Sequence, residues 1–403
     1  MEGSRKRRAA VEGDPKKKKK RDGKEKKRKK DKAEETETRQ NGDTRATVNP
    51  GDADPQKKKK RDGKEKKRNK DKAEETETRQ NGETRATVNP GDAGRAYTVS
   101  LALPGSILEN AQSAELRSYL AGQVARALTI FAVDEVVVFD EQGADRKGAE
   151  GESPGAGKHG HGSVQLARIL QYLECPQYLR KAFFPKHKDL QYAGLLNPVD
   201  SPHHMRRDEE SPYREGVVLE QHGAPGASAS ASANCGLYKE VTIDRKLQPG
   251  TRVTVQMEGN SAGRVVAPHV PRTRAGIYWG YTVRLASGLG DVFTGCPFKG
   301  GYDLTIGTSE RGTSVDDVSL PPFRHLLLVF GGLQGLESSL ASDRRLRVAE
   351  PSLLFNLYLN TCPGQASRTI RTEEAILISL AMLRPKITAR ATRTGSGGCT
   401  DAR

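Results

Sequence analysis

Apolar residues follow two different spacings in the region after residue 96. The continuous apolar run at residues 136–139 predicts a strand in a sheet that is covered on both faces. Another strand is predicted up to Pro104, and a helix at 164–173 follows a glycine-rich loop at 148–162. Between the strands, Ser113 is placed to cap a helix whose apolar face consists of Leu116, Leu120, Val124, Leu128 and Phe131. This alternation of strands and helices is typical of an α/β domain with a parallel sheet.

The pattern changes after about residue 200. Glycine, proline, serine and asparagine clusters separate short β-like runs, which lie at 216–219, 237–243, 252–257 and 264–266. Closely spaced short strands predict a small all-β barrel or sandwich. From residue 277 the α/β pattern returns, with predicted strands at 302–306, 326–330 and 357–359 and a last helix at 373–383 that stops before Pro385.

These patterns divide the chain into five regions. We predict one α/β domain in two parts, residues 95–205 and 273–385, with an all-β domain inserted at 206–272. Residues 1–94 and 386–403 are predicted to be disordered tails.

The N-terminal tail contains a tandem repeat. Residues 14–53 and 54–93 are copies of one unit that differ at three positions, and neither copy has enough apolar residues to form a core. Residues 1–93 hold 32 lysines and arginines against 20 acidic residues, so they carry +12 of the net charge of +16. A tail of this charge indicates nucleic acid binding or nuclear import. We therefore expect a protein of the nucleus, with the nucleolus as an open alternative within it.

Cysteine and histidine spacing gives little sign of metal or disulfide chemistry. The five cysteines are odd in number and none has CxxC spacing, which argues against a disulfide framework and fits a reducing compartment. His159 and His161 form an H-x-H without a spaced partner ligand, and a mobile loop is the better interpretation. We expect no metal. We also expect no membrane span, because no window reaches 18 apolar residues.

Three polar or glycine-rich segments follow the last three predicted α/β strands. They are residues 307–312, 331–337 and 360–365. Open α/β sheets bind ligands beyond the carboxyl ends of their strands, so these segments predict a binding site. The GGLQG sequence at 331–335 lacks the spacing of a dinucleotide-binding turn and is not a Walker loop. Taken alone, it is equally well interpreted as an ordinary strand-to-helix turn.

Together the segments resemble the cofactor region of SPOUT-class RNA methyltransferases. The similar stretches are TIGTSERG, VFGGLQGLE and LYLNTCPGQASRTIRTEEAILISLA, and about residues 95–385 resemble the eukaryotic SPOUT-domain-containing methyltransferase family. The resemblance implies an α/β domain with a deep trefoil knot and an inserted OB-like domain. It also implies a homodimer whose cofactor pocket lies next to the partner subunit.

The resemblance further implies S-adenosylmethionine as the cofactor. By motif position, Gly331, Gly332 and Gly335 would supply backbone contacts to it. Asn360 and Thr361 would hold its adenosine or amino-acid part.

Arg311 is the candidate catalytic residue, and it is also expected to reach the cofactor pocket. A guanidinium could stabilise a deprotonated base or bind a phosphate. The alternative is an ion pair with a residue such as Glu310. Glu337 is expected to start the following helix rather than to act as a base.

Two functions are therefore open. The first is methylation of RNA, for which the family points to a uridine ring nitrogen, N3, in ribosomal RNA. The second is a non-catalytic RNA-binding or adaptor protein on the same scaffold. Relatives in the family have been linked to the mitotic spindle or kinetochore, but no residue of this chain argues for that role. The presence of Gly331, Asn360 and Arg311 favours the enzyme. A dehydrogenase is a distant third, since no dinucleotide fingerprint occurs.

Histidines and aromatic residues mark the two ends of the predicted insertion. His203 and His204 could contact RNA or lie in a solvated linker. Trp279, with Tyr278 and Tyr281, could stack on bases, although packing between the two domains is favoured.

Overall fold

A computed structural model describes residues 94–141, 158–220 and 231–394, with only the backbone described for 158–160 and 390–394. The predictions for the repeat-containing tail through residue 93 and for residues 395–403 lie outside these ranges. None of the described helices is both long enough and apolar enough to cross a membrane.

The described helices and strands are labelled in chain order. The strands are β1 (Thr98–Pro104), β2 (Glu135–Phe139), β3 (Tyr213–Val218), β4 (Ser232–Asn234), β5 (Val241–Ile243), β6 (Arg252–Glu258), β7 (Ala262–Val266), β8 (Thr282–Ala286), β9 (Leu304–Ser314), β10 (His325–Val329) and β11 (Leu357–Asn360). The α-helices are α1 (Ala114–Ile130), α2 (Lys158–Glu174), α3 (Arg180–Phe183), α4 (Val270–Ala275), α5 (Leu289–Thr294), α6 (Gly335–Ser342) and α7 (Thr372–Thr394).

Six parallel strands form the α/β sheet in the order β11-β9-β10-β1-β2-β8. Neighbouring residues of a strand point to opposite faces. Leu101 and Val136 therefore pack with apolar residues of α1, α2 and α7, whereas Ala102 and Val137 pack on the other face with residues of α5 and α6. Burial on both faces confirms the sheet predicted from the continuous apolar run at 136–139.

The inserted region forms a closed five-stranded barrel in the order β3-β4-β5-β7-β6. β5 and β7 pair in parallel, and the other neighbouring strands pair antiparallel. The barrel has its own core, which includes Val218, Ala233, Val241 and Val255. The predicted interruption of the α/β domain by a small all-β unit is therefore observed.

A buried polar seam joins the barrel to the α/β part; it consists of Glu174, His203, Glu215, Arg252 and Trp279. Arg252 donates to Glu174 Oε2 at 2.7 Å and to Glu215 Oε2 at 2.7 Å. Trp279 Nε1 donates to Glu215 Oε1 at 2.5 Å. Burial alone would raise the pKa of Glu174, but the His203 hydrogen bond and the charge of Arg252 outweigh it and lower this pKa to about 2.

The seam decides between the alternatives for the histidines and aromatic residues. Packing of Trp279 between the two domains is confirmed, because the ring is buried and contacts the rings of His203 and Tyr213. The solvated-linker alternative for His203 and His204 was wrong, and His203 is too buried to contact RNA. His203 is 1% exposed, and each histidine has its Nε2 within 2.9 Å of the Glu174 carbonyl oxygen. Polar residues next to a proline are typical of a linker, but these two histidines pack against Glu174 instead.

An ionic clamp holds the start of β1 against the segment that returns from the barrel. Arg95 Nη2 lies 2.6 Å from Asp134 Oδ1, and Arg272 Nε lies 3.3 Å from the same oxygen. Arg272 also donates to the carbonyl of Arg95 at 2.7 Å. Gly94 packs so closely that a Cβ there would lie 1.9 Å from the Thr273 carbonyl oxygen. Residues 94 and 95 are therefore held firmly against the fold.

Helix boundaries differ from the predictions at two places. α2 begins at Lys158, so residues 158–162 of the predicted glycine-rich loop are helical and His161 is an exposed helical residue. α7 continues through Pro385 to Thr394, so the expected stop before Pro385 was wrong, as was the predicted disorder of residues 386–394. Proline removes the donor for the carbonyl four residues earlier, but Ala381 and Pro385 are both exposed and water can satisfy that carbonyl.

Strand predictions missed β4 and β8 and misplaced the end of β9. β4 lies in a serine- and alanine-rich stretch, and β8 carries polar residues at alternate positions, so neither has a continuous apolar run. β9 extends to Ser314. Its pairing with β11 jumps from Gly307 opposite Tyr358 to Thr313 opposite Leu359, so residues 308–312 bulge out of the ladder. The predicted loop at 307–312 is this bulge within a strand.

Candidate functional site

A cavity of about 660 Å³ lies at the carboxyl ends of β9, β10 and β11. Its walls are the bulge at 308–312, the segment from Phe330 to Glu337, and residues 360–379 at the end of β11 and the start of α7. All six predicted site residues line it: Arg311, Gly331, Gly332, Gly335, Asn360 and Thr361. Their individual roles stay predictions.

The glycine segment folds back on itself between β10 and α6. A Cβ on Gly331 would lie 2.6 Å from the backbone carbon of Gly335, and backbone cannot move aside as a flexible side chain can. Gly335 has a φ of +75°, a left-handed conformation that disfavours other residues. These two positions require glycine for the turn itself, and the turn brings bare backbone to the cavity wall.

Glu141, at the end of β2, holds this segment in place. Its Oε1 accepts from the Gly332 N–H at 3.2 Å and from Ser339 Oγ at 3.2 Å, while Oε2 accepts from Ser106 Oγ. A Cβ on Gly332 would lie 2.5 Å from the Glu141 carboxylate. The Gly332 N–H is thus already engaged by the protein. The sequence analysis did not single out Glu141, although its position just beyond the carboxyl end of a buried strand was a usable signal.

Asn360 and Thr361 tie the cavity walls to one another. The Asn360 side chain donates to the Glu310 carbonyl at 3.0 Å and accepts from the Cys362 N–H at 3.0 Å. Thr361 Oγ1 lies 2.7 Å from Ser379 Oγ on α7 and is buried. Both side chains therefore connect the bulge, the β11 end and α7.

The first residue of α7 closes the remaining side. Thr372 Oγ1 donates to the Gly331 carbonyl at 3.0 Å, which joins the helix start to the glycine segment. Phe330 and Leu336 are buried and line the cavity beneath these polar groups. The cavity therefore combines an apolar floor with polar walls, as small-molecule sites do.

Arg311 stands on the bulge at the edge of the cavity. Its Nη1 lies 3.4 Å from Glu337 Oε1, with the arginine side chain 75% and the glutamate side chain 40% exposed. The ion-pair alternative is thus observed, but with Glu337 rather than Glu310. Glu337 lies in the first turn of α6, as expected. A pair this exposed adds little to stability. Because the Arg311 side chain is exposed at the edge of the cavity, a bound substrate can contact it.

Metal ligation and cysteine chemistry receive no support from the cavity. Within the described ranges, no group of three or more His, Cys, Asp or Glu side chains is arranged to hold a metal ion. Cys362 lines the cavity, but the lining contains no histidine to activate it.

The chain is similar to known RNA methyltransferases. A family described as "Putative RNA methyltransferase" matches residues 98–383. A human protein named 28S rRNA (uridine-N(3))-methyltransferase is 66% identical over 72% of this chain and 79% of its own length. Proteins of the same name from mouse and Drosophila melanogaster are 64% and 53% identical, over 75% and 72% of this chain and 80% and 62% of their own lengths.

Proposed function

Because the chain belongs to this family of RNA methyltransferases, we propose that it is an enzyme that methylates ring N3 of a uridine in ribosomal RNA. S-adenosylmethionine is the methyl donor. The observation that carries this proposal is the 66% identity to a protein named for that reaction, over 79% of that protein's length. The aligned region is long enough to include both the α/β part and the barrel.

The cavity fits S-adenosylmethionine in size and chemistry. A volume of about 660 Å³ lies within the usual range for small-molecule pockets. Gly331 and Gly335 present backbone without side chains, so a flat adenosine can approach closely. Asn360 and Thr361 line the polar wall of the cavity. When bound, the cofactor supplies an electrophilic methyl group on a sulfonium, which requires no metal.

Methyl transfer requires that the uracil ring be positioned and that N3 lose its proton, which solvent at the open mouth of the cavity can accept. Arg311 stands at the edge of the cavity, where its guanidinium can stabilise the negative charge that develops on the uracil ring as this proton leaves. Glu337, 3.4 Å from Arg311 Nη1, limits the orientations of that guanidinium. Glu141 keeps the glycine segment in the shape that receives the cofactor.

The finer features of the fold are part of the proposal. The parallel pairing of β5 with β7 and the order β3-β4-β5-β7-β6 support an OB-like barrel. The contact of Thr372 with Gly331, which brings the chain after β11 against the loop after β10, supports the deep trefoil knot of the SPOUT class.

A homodimer is also proposed, from an apolar surface on α1 and α7. Tyr119 and Ile130 are each 55% exposed there, and Leu377 is 46% exposed. With Leu196 they line a groove of about 230 Å³. Exposed apolar clusters of this kind mark association surfaces. Light scattering of the purified chain should give twice the monomer mass, and Leu377→Asp should halve it.

Localisation to the nucleus is proposed from the lysine-rich runs of the tail at 16–21 and 57–61. Neutralising both runs should leave a fluorescent fusion in the cytoplasm, and full nuclear entry would contradict this.

Mass spectrometry of ribosomal RNA nucleosides tests the reaction. Cells that lack the protein should lose N3-methyluridine from their large-subunit RNA, and wild type should restore it. Restoration by Arg311→Ala as well would favour the alternative, a non-catalytic RNA-binding or adaptor protein on the same scaffold. Unchanged nucleosides in the deletion cells would contradict the proposed reaction.

A further inference from the structure

Three arginines line the mouth of the cavity, and they differ in their partners. Arg311 pairs with Glu337 at 3.4 Å, and Arg371 lies 3.9 Å from Glu373. Arg368 is exposed and forms no hydrogen bond or ion pair with any part of the chain that the structure describes. Its positive charge is therefore uncompensated at the entrance through which a substrate must pass.

The turn that carries Arg368 is fixed by hydrogen bonds of its own side chains. Gln365 Nε2 donates to the Ser367 carbonyl at 3.1 Å, and Ser367 Oγ donates to the Thr369 carbonyl at 2.7 Å. Asn360 anchors one end of the turn, and Thr372 anchors the other end to Gly331. The backbone beneath Arg368 is thus held before any ligand arrives, which reduces the entropy lost on binding.

We propose that Arg368 binds a phosphate of the RNA next to the nucleotide whose base enters the cavity, with Arg371 adding positive charge beside it. The inference rests on the proposed function. The two arginines then have different roles at the mouth of the cavity: Arg311 contacts the base, and Arg368 contacts the phosphate backbone of the RNA. A guanidinium matches a phosphate with two parallel N–H donors, so one side chain can both attract and orient the strand.

The cofactor's carboxylate is the competing anion. Arg368 is exposed at the mouth, whereas the glycine positions that fit the cofactor lie against the buried Phe330 and Leu336. This arrangement favours the RNA as the ligand of Arg368.

The test compares Arg368→Ala and Arg368→Lys with wild type in the full chain. Arg324→Ala is the matched control. Arg324 is also exposed, but it precedes β10 and so lies at the amino-terminal end of the strands, away from the cavity at their carboxyl ends. The probe is large-subunit ribosomal RNA from cells that lack the protein. RNA affinity is measured by filter binding over a range of salt, cofactor affinity by calorimetry, and the rate by single turnover at saturating RNA.

We expect Arg368→Ala to weaken RNA binding about tenfold, the scale of one charge-assisted contact. The slope of log affinity against log salt should fall by about one, since one fewer phosphate is neutralised. Arg368→Lys should keep most of the salt slope while losing part of the affinity. Cofactor affinity, saturated rate and melting temperature should match the Arg324→Ala control.

Two results would overturn the proposal. Lost cofactor affinity in both Arg368 variants, with RNA binding intact, would assign the residue to the cofactor's carboxylate. RNA binding and salt slope equal to those of Arg324→Ala would remove any phosphate contact. Wild type that binds the RNA but never methylates it would contradict the proposed function, while the binding arm still decides the phosphate contact.

Discussion

The seam and the cavity both contain an arginine paired with glutamate, but in opposite surroundings. In the seam, Arg252 bridges Glu174 and Glu215, whose side chains are 8% and 4% exposed. In the cavity, Arg311 meets Glu337 with 75% and 40% exposure. The first pair is a fixed structural joint, because removal of Arg252 leaves two buried carboxylates without their cation. The second contributes little to stability and keeps a cation accessible for chemistry.

Breaking the seam should produce the largest effect. Arg252→Ala leaves two buried carboxylates without their cation, so the free energy of unfolding should fall by about 3 kcal/mol or more. Urea denaturation measures it. The control is Arg264→Ala, which breaks an exposed pair with Glu258 at 3.5 Å and should cost less than about 1 kcal/mol. Equal losses in the two variants would remove the distinction between buried and exposed pairs.

Arg311→Ala tests the other side of the comparison. The rate of methyl transfer should fall about a hundredfold, the scale for loss of one charge-stabilising donor, while the melting temperature stays unchanged. Arg311→Lys should recover little, because an ammonium lacks the planar pair of donors. A lower melting temperature together with lost cofactor affinity would show instead that Arg311 is structural. Stability, cofactor affinity and single-turnover rate are measured on one preparation.

Glu141→Gln should weaken cofactor binding about tenfold with a small change in stability. Glutamine cannot accept hydrogen bonds at both former carboxylate oxygens, so the glycine segment loses part of its support. Calorimetry with S-adenosylmethionine measures the loss. Gly332→Val, which forces the Glu141 carboxylate away, should weaken binding at least as much. Unchanged affinity in both variants would contradict a role for this contact.

Acid should weaken the packing of the barrel on the α/β part, where Glu174 and His204 lie. Burial lowers the pKa of His204 to about 3, and the pKa of Glu174 is lowered to about 2. The unfolded chain therefore binds protons at a higher pH than the folded chain does. As the pH falls, this uptake begins near pH 6.5 for the histidine and near pH 4.5 for the glutamate. Stability should be full above pH 6.5 and decrease as the pH falls toward 3. His204→Gln should flatten the decrease between pH 6.5 and 4.5, as denaturation midpoints would show.

Deleting residues 1–93 should have the smallest effect on stability. The deletion spares Arg95, and with it the ionic clamp to Asp134. The melting temperature should change by no more than its error, whereas the salt dependence of RNA binding should decrease, because the deleted residues carry a net charge of +12. A clear drop in melting temperature would mean that the tail packs on the fold.

Much of the architecture could be predicted from local patterns, because buried strands and capped helices leave signals in their own residues. The run at 136–139 and the cap at Ser113, which accepts from the Leu116 N–H, are of this kind. The seam left no such signal, since His203, Glu215 and Trp279 come from distant parts of the chain. The register shift after Tyr358 could not be predicted from sequence either, because it depends on how β11 pairs with β9.

The cavity shows the same division. Its six predicted residues were found through motifs that are contiguous in sequence, and all of them line one cavity. Glu141 and Thr372 were missed because they act from 191 and 41 residues away on the glycine segment. The partner of Arg311 was misassigned to the adjacent Glu310, since strand neighbours point to opposite sides whereas Glu337 approaches from another element.

The ionic clamp at Arg95 has an evolutionary consequence. The second copy of the repeated unit ends at residue 93, and Gly94, which directly follows it, packs against Thr273. Recombination between the two copies can therefore add or remove whole 40-residue units in frame without changing Gly94, Arg95 or any later residue. Each such event changes the net charge of the tail and leaves the cavity as it was. Related chains with one, two or more units should accordingly differ in how strongly they hold RNA, and share the same chemistry.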